Sequence, residues 1–578
     1  MKINYFAINN FRGISGGLER NKIIFEDTNT LFLYGQNNVG KSTFLKAYQH
    51  FYKDEKPVLE DFYKSDFNNQ MEFEIEVRLL PIDRVRIESA APKQKESYKK
   101  FLNDDRMRIR KTWKLDGKTV KAFNQTYNFE TELYEDIGYA SIGLHRVFQS
   151  CLPQPVFIKA MPTEDEAKEI LNSILKSMAE NTLKEADLVA LEEAKSKIQE
   201  LQAKMYNPDL IESYQTSVNS YFSQIFGDTV LEIKESKDRL VWSENKLGKD
   251  FNVEFAKLDS QGSIDSTIPS TSDKVGHGTI RTAIFTLLLM KDVAEKFERE
   301  EGKKDYMVLF EEPELFLYPK IIKELRELIY KVSEDDLPYQ VLCASHSPSM
   351  IDISKPKSSI IRLVKDSTGT NIYQINNEFL KSAKNVTTDE QLKQEMNEML
   401  RFNPYVCEAF YADEVLLIEG PTEEVLARAY LQEFPTSKDF FILNCGTVNN
   451  IPFYQKILSK FKIKYHTVFD TDGRKISTVD KDGNPTFDSH IQGTISKQFN
   501  EDKATYSVGL LRVHDTTFEP AHKSTSLPEE LRFHETAISA GKPYNANLYW
   551  KNTLYPNMDH PDFYKVPFIS YLKSMLEH

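Results

Sequence analysis

Gly35-x-x-x-x-Gly40-Lys41-Ser42 sets two glycines, a lysine and a hydroxyl at a spacing suited to holding phosphate. The glycines let a loop fold tightly enough for its N–H groups to face phosphate oxygens. Lys41 brings a cation to the β- and γ-phosphates, and the Ser42 hydroxyl is a Mg²⁺ ligand. Asn37, Asn38 and Thr43 belong to the same phosphate-facing stretch. A second chemistry is written over the last third of the chain, where carboxylates recur as Glu419 and Glu423, Asp470 and Asp472, Asp515 and Glu519. Hard oxygen donors without a histidine cluster point to Mg²⁺, Mn²⁺ or Ca²⁺ rather than zinc. A pair of such ions activates water on one side of a phosphodiester and stabilises the leaving oxygen on the other. Lys542, within Gly541-Lys542-Pro543, adds a cation for the charge that builds on the phosphoryl oxygens.

These residues need rigid elements behind them. The apolar run Leu31 to Tyr34 predicts a buried strand entering the glycine loop, and a helical pattern follows from Thr43. A second buried strand, from Tyr306, ends in Glu311 and Glu312. Glu311 is expected to hold Mg²⁺ through water, and Glu312 to polarise the water that attacks the γ-phosphate. A third strand from Gln340 ends at His346, which the strand–helix–strand spacing places at the γ-phosphate. Gly276 and Gly278 open a helix whose free N–H groups make an anion site, with Arg281 one turn further on. Arg12, just past the first strand, is assigned either to the nucleotide phosphates or to a salt bridge. In the last third, strands ending at Glu419, Asn444 and Phe469 alternate with helices, the first of them capped by Thr422. That alternation predicts a parallel sheet with its ligands at the carboxyl ends of the strands.

At 578 residues the chain exceeds what one core supports, and length alone predicts roughly two to four domains. A net charge of −13 argues against coating nucleic acid by bulk attraction while leaving room for local basic grooves. Four scattered cysteines suggest neither a disulfide framework nor a zinc site. The N-terminus lacks the apolar core of a signal peptide, and the longest apolar run, Ala283 to Met290, falls far short of the about 20 residues that span a bilayer. A reduced, cytoplasmic protein without a membrane segment is expected. Residues 71 to 80 alternate strictly, predicting a strand whose glutamates face water, and Glu164 to Met205 reads as long amphipathic helix.

Taken together, the glycine loop, the acidic strand end and the interrupting helices resemble the split ABC ATPases of the SMC and RecF type. Glu419-Gly420 with Asp470-x-Asp472 resembles a Toprim domain, and an ABC ATPase followed by Toprim is the architecture of the OLD (overcoming lysogenisation defect) nucleases. The resemblance implies an α/β protein. Its ATPase would occupy 1–160 and 241–375, with a helical dimerisation insertion at 161–240, a linker at 376–410 and a Toprim nuclease domain at 411–578. The family's Glu-Gly-x-x-Glu falls on Glu419 and Glu423, its Asp-x-Ser-x-Glu on Asp515 and Glu519 with Thr517 for serine, and its essential lysine on Lys542. Glu311 stands where many relatives carry Asp. ATP, divalent metal, double-stranded DNA and a homodimer or higher oligomer are the implied cofactors and partners. Relatives serve in antiphage defence alone, beside a helicase as in Gabija, or within retrons with a reverse transcriptase and its small DNA. The sign of ATP's effect on cleavage is open at this level. The rival reading is an SMC/RecF-like DNA repair ATPase whose Toprim domain is a non-catalytic platform.

Overall fold

The computed structural model describes residues 1–25, 28–53, 55–81, 83–85, 99–117, 119–136, 148, 151–161, 170, 208–226, 229–235, 251–257, 264, 277–294, 305–334, 339–355, 358–402, 405–534 and 541–578. The chain divides into two compact units, Met1–Met350 with Lys357–Ile372, and Ile351–Pro356 with Tyr373–His578.

In chain order the strands of the first unit are β1 (Lys2–Asn9), β2 (Lys22–Ile24), β3 (Thr30–Tyr34), β4 (Met71–Arg78), β5 (Arg106–Asp116), β6 (Thr119–Asn128) and β7 (Leu133–Asp136). They continue as β8 (Gln154–Ile158), β9 (Thr229–Glu235), β10 (Phe251–Lys257), β11 (Tyr306–Glu311), β12 (Tyr339–Ala344), β13 (Ser358–Asp366) and β14 (Gly369–Ile375), the last running across the boundary between the units. One sheet has the order β2-β1-β4-β5-β6-β7 with antiparallel neighbours. The other has the order β14-β13-β3-β12-β11-β8, and its pairings β13–β3, β3–β12, β12–β11 and β11–β8 are parallel.

Parallel strands covered on both faces read as unbroken apolar runs, and their alternation is visible only in which core each residue enters. Leu31 and Leu33 of β3, Met307 and Leu309 of β11, and Leu342 and Ala344 of β12 join one buried cluster with Phe6, Phe44 and Phe73. Phe32, Val308, Phe310, Val341 and Cys343 point the other way into a second cluster. The helix Pro208–Phe226 enters that second cluster through Tyr214, Val218 and Phe222, a stripe at intervals of four. Residues of the expected dimerisation insertion from 208 on therefore pack into the ATPase core, alongside Ile280 and Ile284 of the helix His277–Ala294. The predicted long helix, Glu164 to Met205, lies outside the described residues apart from Ile170.

The expected wet face of β4 is also corrected. Glu74 and Glu76 are buried. Arg110 donates through Nε and Nη2 to Glu74 Oε2, Arg108 does the same to Glu76 Oε2, and Tyr5 donates to Glu74 at 2.7 Å. The neighbouring strand supplies the countercharge, so glutamates whose alternation suggested solvent are satisfied inside the fold.

The second unit centres on a four-stranded parallel sheet. Its strands are β15 (Glu414–Ile418), β16 (Phe440–Asn444), β17 (Lys464–Asp470) and, beyond a short ribbon of β18 (Thr478–Val479) and β19 (Pro485–Thr486), β20 (Leu511–His514). The order is β16-β15-β17-β20. Leu416, Ile418 and Val468 pack with Phe568, Ile569, Leu572 and Met575 of the C-terminal helix Pro567–Glu577. The stretch 376–410, expected as a linker, holds the helices Asn377–Lys384 and Asp389–Phe402 and belongs to this unit. Lys456 donates to Ala383 O at 3.2 Å, and the Lys384 ammonium stands 4.8 Å from the Phe453 ring centroid.

Candidate functional site

The phosphate loop leaves β3 at Gly35, and the helix Lys41–Lys53 starts at the lysine itself. Gly35 has φ +144°, and a Cβ there would stand 2.4 Å from the Leu363 carbonyl oxygen, so no other residue fits that turn. Lys41 is buried, and its ammonium donates to the carbonyls of Gly35 (2.7 Å) and Gln36 (2.8 Å). Burial pushes its pKa down to about 8, against the opposing charges of Glu312 and Glu314. Asn37 and Asn38 are exposed at the loop tip, and Ser42 and Thr43 are half-buried in the first helical turn.

Glu311 and Glu312 sit at the end of β11. Ala160 N–H approaches Glu311 Oε2 at 3.5 Å, and Glu312, at φ 45°, donates its N–H to Ala344 O at 2.7 Å. His346 Nε2 lies 3.5 Å from Glu312 Oε1. Burial, then the charge of Lys41, lower the His346 pKa against the pull of Glu312. Three predicted groups, Lys41, Glu312 and His346, thus feel one another's charge at the ends of three parallel strands.

Two other expectations come out differently. Arg281 is fully buried and donates to the backbone carbonyls of Glu311, Glu312 and Leu315. Its guanidinium clamps the turn that carries the acidic pair and does not stand open to a phosphate. Arg12 is held by Asp61, with Nε and Nη2 at 3.1 and 3.0 Å from Oδ1, which is the salt-bridge side of the two assignments. Gly278 lies in the first turn of its helix, where a Cβ would meet Leu317 Cδ2 at 2.5 Å; Gly276 lies outside the described residues. Sequence reading missed Glu314. Its Oε1 accepts from Ser345 Oγ (3.0 Å) and His346 N–H (2.8 Å), tying the acidic turn to the histidine loop, and burial raises its pKa.

The second unit gathers its own acidic group at the carboxyl ends of β15, β17 and β20. Glu419 follows β15, and Glu423 lies in the first turn of the helix Pro421–Glu433. That helix begins with Gly420 at the N-cap and Pro421 inside, not with a side-chain cap from Thr422. Asp470 N–H approaches Glu419 Oε2 at 3.4 Å, and Lys542 Nζ stands 3.5 Å from Glu519 Oε1. Burial, followed by the charge of Asp470, raises Glu419 to about 7. Burial, then Asp470 and Glu419, raises Glu423 to about 8. Burial and Glu519 raise Asp470 to about 6. Burial also pushes Glu519 up, but its own N–H, Lys542 and Thr517 outweigh that and hold it below the usual carboxylate range.

Glu419, Glu423, Asp470, Glu519 and Lys542 therefore form one electrostatic group. Asp472 adds to the group only through its charge, which helps raise Glu419, and Asp515 does not enter it. Both are exposed, and the Asp472 carboxylate meets Gln492 Nε2 at 3.3 Å. The histidine absent from the expected donor set is His514, the last residue of β20 and paired with Asp470 in the parallel register. Its Nδ1 lies 3.0 Å from Asp470 Oδ1 and 3.8 Å from Glu423 Oε1, and single donor atoms of Glu423, Asp470 and His514 all fall within 4.8 Å of one another. Buried and half-buried carboxylates that repel one another beside Lys542 suit a hard divalent cation, so the residues present fit Mg²⁺ or Mn²⁺.

A family model described as an AAA ATPase domain matches residues 1–351. One described as an overcoming lysogenization defect protein-like TOPRIM domain matches 410–472. The "Old nuclease" of Escherichia phage P2 is 23% identical over 420 residues, covering 68% of this chain and 64% of that protein. The "OLD nuclease" of Thermus scotoductus is 26% identical over 212 residues, 36% of this chain and 37% of its own. "Endonuclease GajA" of Bacillus cereus is 22% identical over 245 residues, 40% of this chain and 34% of its own. The chain thus spans less than two thirds of the length of each of these relatives.

Proposed function

The chain belongs to the AAA ATPase family through residues 1–351 and carries behind that domain an OLD-like TOPRIM domain, and on this premise we propose that it is an ATP-regulated, divalent-metal-dependent DNA endonuclease of the OLD family. The observation that carries the reading is the convergence of Glu419, Glu423, Asp470 and Glu519, from separate strands and helices, around one another and Lys542. Glu419, Glu423 and Asp470 would hold a divalent ion, which when bound would supply Lewis-acid stabilisation of a phosphodiester. The protein's own part is to hold mutually repelling carboxylates in one place and to set Lys542 where it neutralises charge on the phosphoryl oxygens. Glu519, kept ionised beside Lys542, orients that ammonium; with Asp472 and Asp515 it offers donors for a second ion.

In the ATPase unit, Lys41 and the loop N–H groups bind the phosphates, Ser42 and Glu311 hold Mg²⁺, Glu312 orients the attacking water and His346 reports the γ-phosphate. We assign two copies of the chain to the active form, with double-stranded DNA as substrate, antiphage defence as the setting and the cytoplasm as the compartment. Among the described residues no helix is long and apolar enough to cross a membrane. One observation favours the rival, a repair ATPase with a non-catalytic TOPRIM platform: Asp472 and Asp515 stand exposed outside the buried group. Supercoiled plasmid incubated with Mn²⁺ or Mg²⁺, with and without ATP, separates the two. The nuclease reading expects nicked or linear product that chelation abolishes and ATP modulates. Intact plasmid under every condition, with ATP still hydrolysed, would favour the platform.

A further inference from the structure

We propose that His514 is a positioning residue of the acidic group: its Nδ1–H holds one oxygen of Asp470 and leaves the other facing the divalent ion. The inference rests on the metal-centre reading above. His514 is fully buried, and its Nδ1 faces Asp470 Oδ1 at 3.0 Å. At the opposite edge of the ring, Nε2 is buried and has no hydrogen-bond partner among the described residues. Rings surround the imidazole: Phe518 at 5.2 Å between centroids, His522 at 5.3 Å, Phe568 at 5.9 Å and Tyr571 stacked at 5.9 Å. His522 offers it nothing, because its Nδ1 donates to Phe518 O at 2.8 Å and its Nε2 accepts from Phe568 N–H at 3.2 Å.

A proton on Nε2 of His514 would be an orphaned donor among aromatic edges, which costs more than a bare lone pair there. The proton therefore sits on Nδ1, where Asp470 Oδ1 accepts it. A nitrogen that carries a proton is not a ligand. The compact trio Glu423, Asp470 and His514 is accordingly two carboxylate ligands plus the donor that fixes one of them, the arrangement by which outer partners orient metal-binding groups.

Calorimetric titration of the full chain with Mn²⁺, without DNA, tests this on wild type, His514→Phe, His514→Asn and His514→Gln. Asn sets an amide N–H near the Nδ1 position, whereas Gln sets it near Nε2. His514→Phe and His514→Gln are expected to weaken Mn²⁺ binding by about 10- to 100-fold, with His514→Asn within a few-fold of wild type. A thermal unfolding transition of the second unit, followed in the metal-free protein, is expected to persist in all three and reports an intact fold, and ATP turnover, which the other unit performs, is expected unchanged. If Phe folds poorly, the Asn–Gln comparison decides. Equal binding by Asn and Gln, or wild-type affinity in a folded Phe variant, overturns the proposal, as does a wild type that takes up no Mn²⁺. A wild type that binds Mn²⁺ yet leaves DNA intact sinks the nuclease reading, and the order of the variants still judges His514.

Discussion

Lys41, Glu423 and Asp470 are ionisable groups that folding withdraws from water, and a ligand of opposite charge is what offsets that cost. Replacing Lys41 by Ala removes the cation from the phosphate loop; nucleotide affinity, read by fluorescence of a labelled ATP analogue, is expected to fall by about 100-fold, the worth of one or two charge-assisted hydrogen bonds. For the carboxylates the sign follows from linkage. Their folded pKa values, about 6 for Asp470, 7 for Glu419 and 8 for Glu423, lie above those of the unfolded chain. They contribute stability in full below the unfolded values and lose it progressively as pH rises from there through the folded values of about 6 to 8, above which the fold holds repelling charges. Metal-free wild type should therefore lose thermal stability over that interval more steeply than Glu423→Gln, while Mn²⁺ cancels much of the difference and releases protons on binding. Parallel pH profiles in the two variants would contradict this. Sequence named these carboxylates because acidic residues at strand ends are costly without a cation. It could not name His514, whose role comes from lying opposite Asp470 in a register set by the sheet, or Glu314, which looked like one more acid in an acidic turn.

The parallel strands were legible as elements because sheets covered on both faces need continuous apolar runs, and Leu31 to Tyr34 and Tyr306 to Phe310 supply them. Their helices were harder to place. The helix Pro208–Phe226 carries an apolar stripe, yet only the packing tells that Tyr214, Val218 and Phe222 meet the ATPase core and not a second subunit. The helix His277–Ala294 likewise drew attention for its glycines and Arg281, whereas the role the fold gives them is mechanical. Arg281→Lys should not substitute, because one ammonium nitrogen cannot span the carbonyls that Nη1 and Nη2 reach separately; a loss of about 2–3 kcal/mol in chemical denaturation, with ATP turnover falling alongside, is the expected outcome. Gly278→Ala forces a methyl against Leu317 Cδ2 at 2.5 Å and the Phe316 carbonyl at 3.0 Å. Overpacking of this kind costs about 1–3 kcal/mol, and the denaturation midpoint should drop accordingly. A neutral result would mean that the loop after the acidic turn yields more easily than its contacts indicate.

At the scale of the molecule, each of the two units has its own buried core, and the second contains every member of its acidic group, from Glu419 to Lys542. A fragment beginning at Tyr373 is therefore expected to unfold cooperatively and to gain thermal stability with Mn²⁺ but not with ATP; a fragment without a cooperative transition would show that the boundary is drawn wrongly. The division itself was half legible. The Glu-Gly and Asp-x-Asp patterns announced a second α/β unit. Its start was read near Tyr411, because amphipathic helices 377–402 carry no chemistry and resemble a connector until Lys384 and Lys456 are seen packed against their neighbours. The central claim is that side chains from distant segments hold a divalent ion against a nucleic-acid backbone. Initial rates of plasmid cleavage at saturating Mn²⁺ for wild type and Asp470→Asn, with ATP turnover followed in the same tubes, test it most directly. The expected result is a loss of at least about a thousandfold in cleavage with ATP turnover unchanged. Equal cleavage by the two proteins would contradict it.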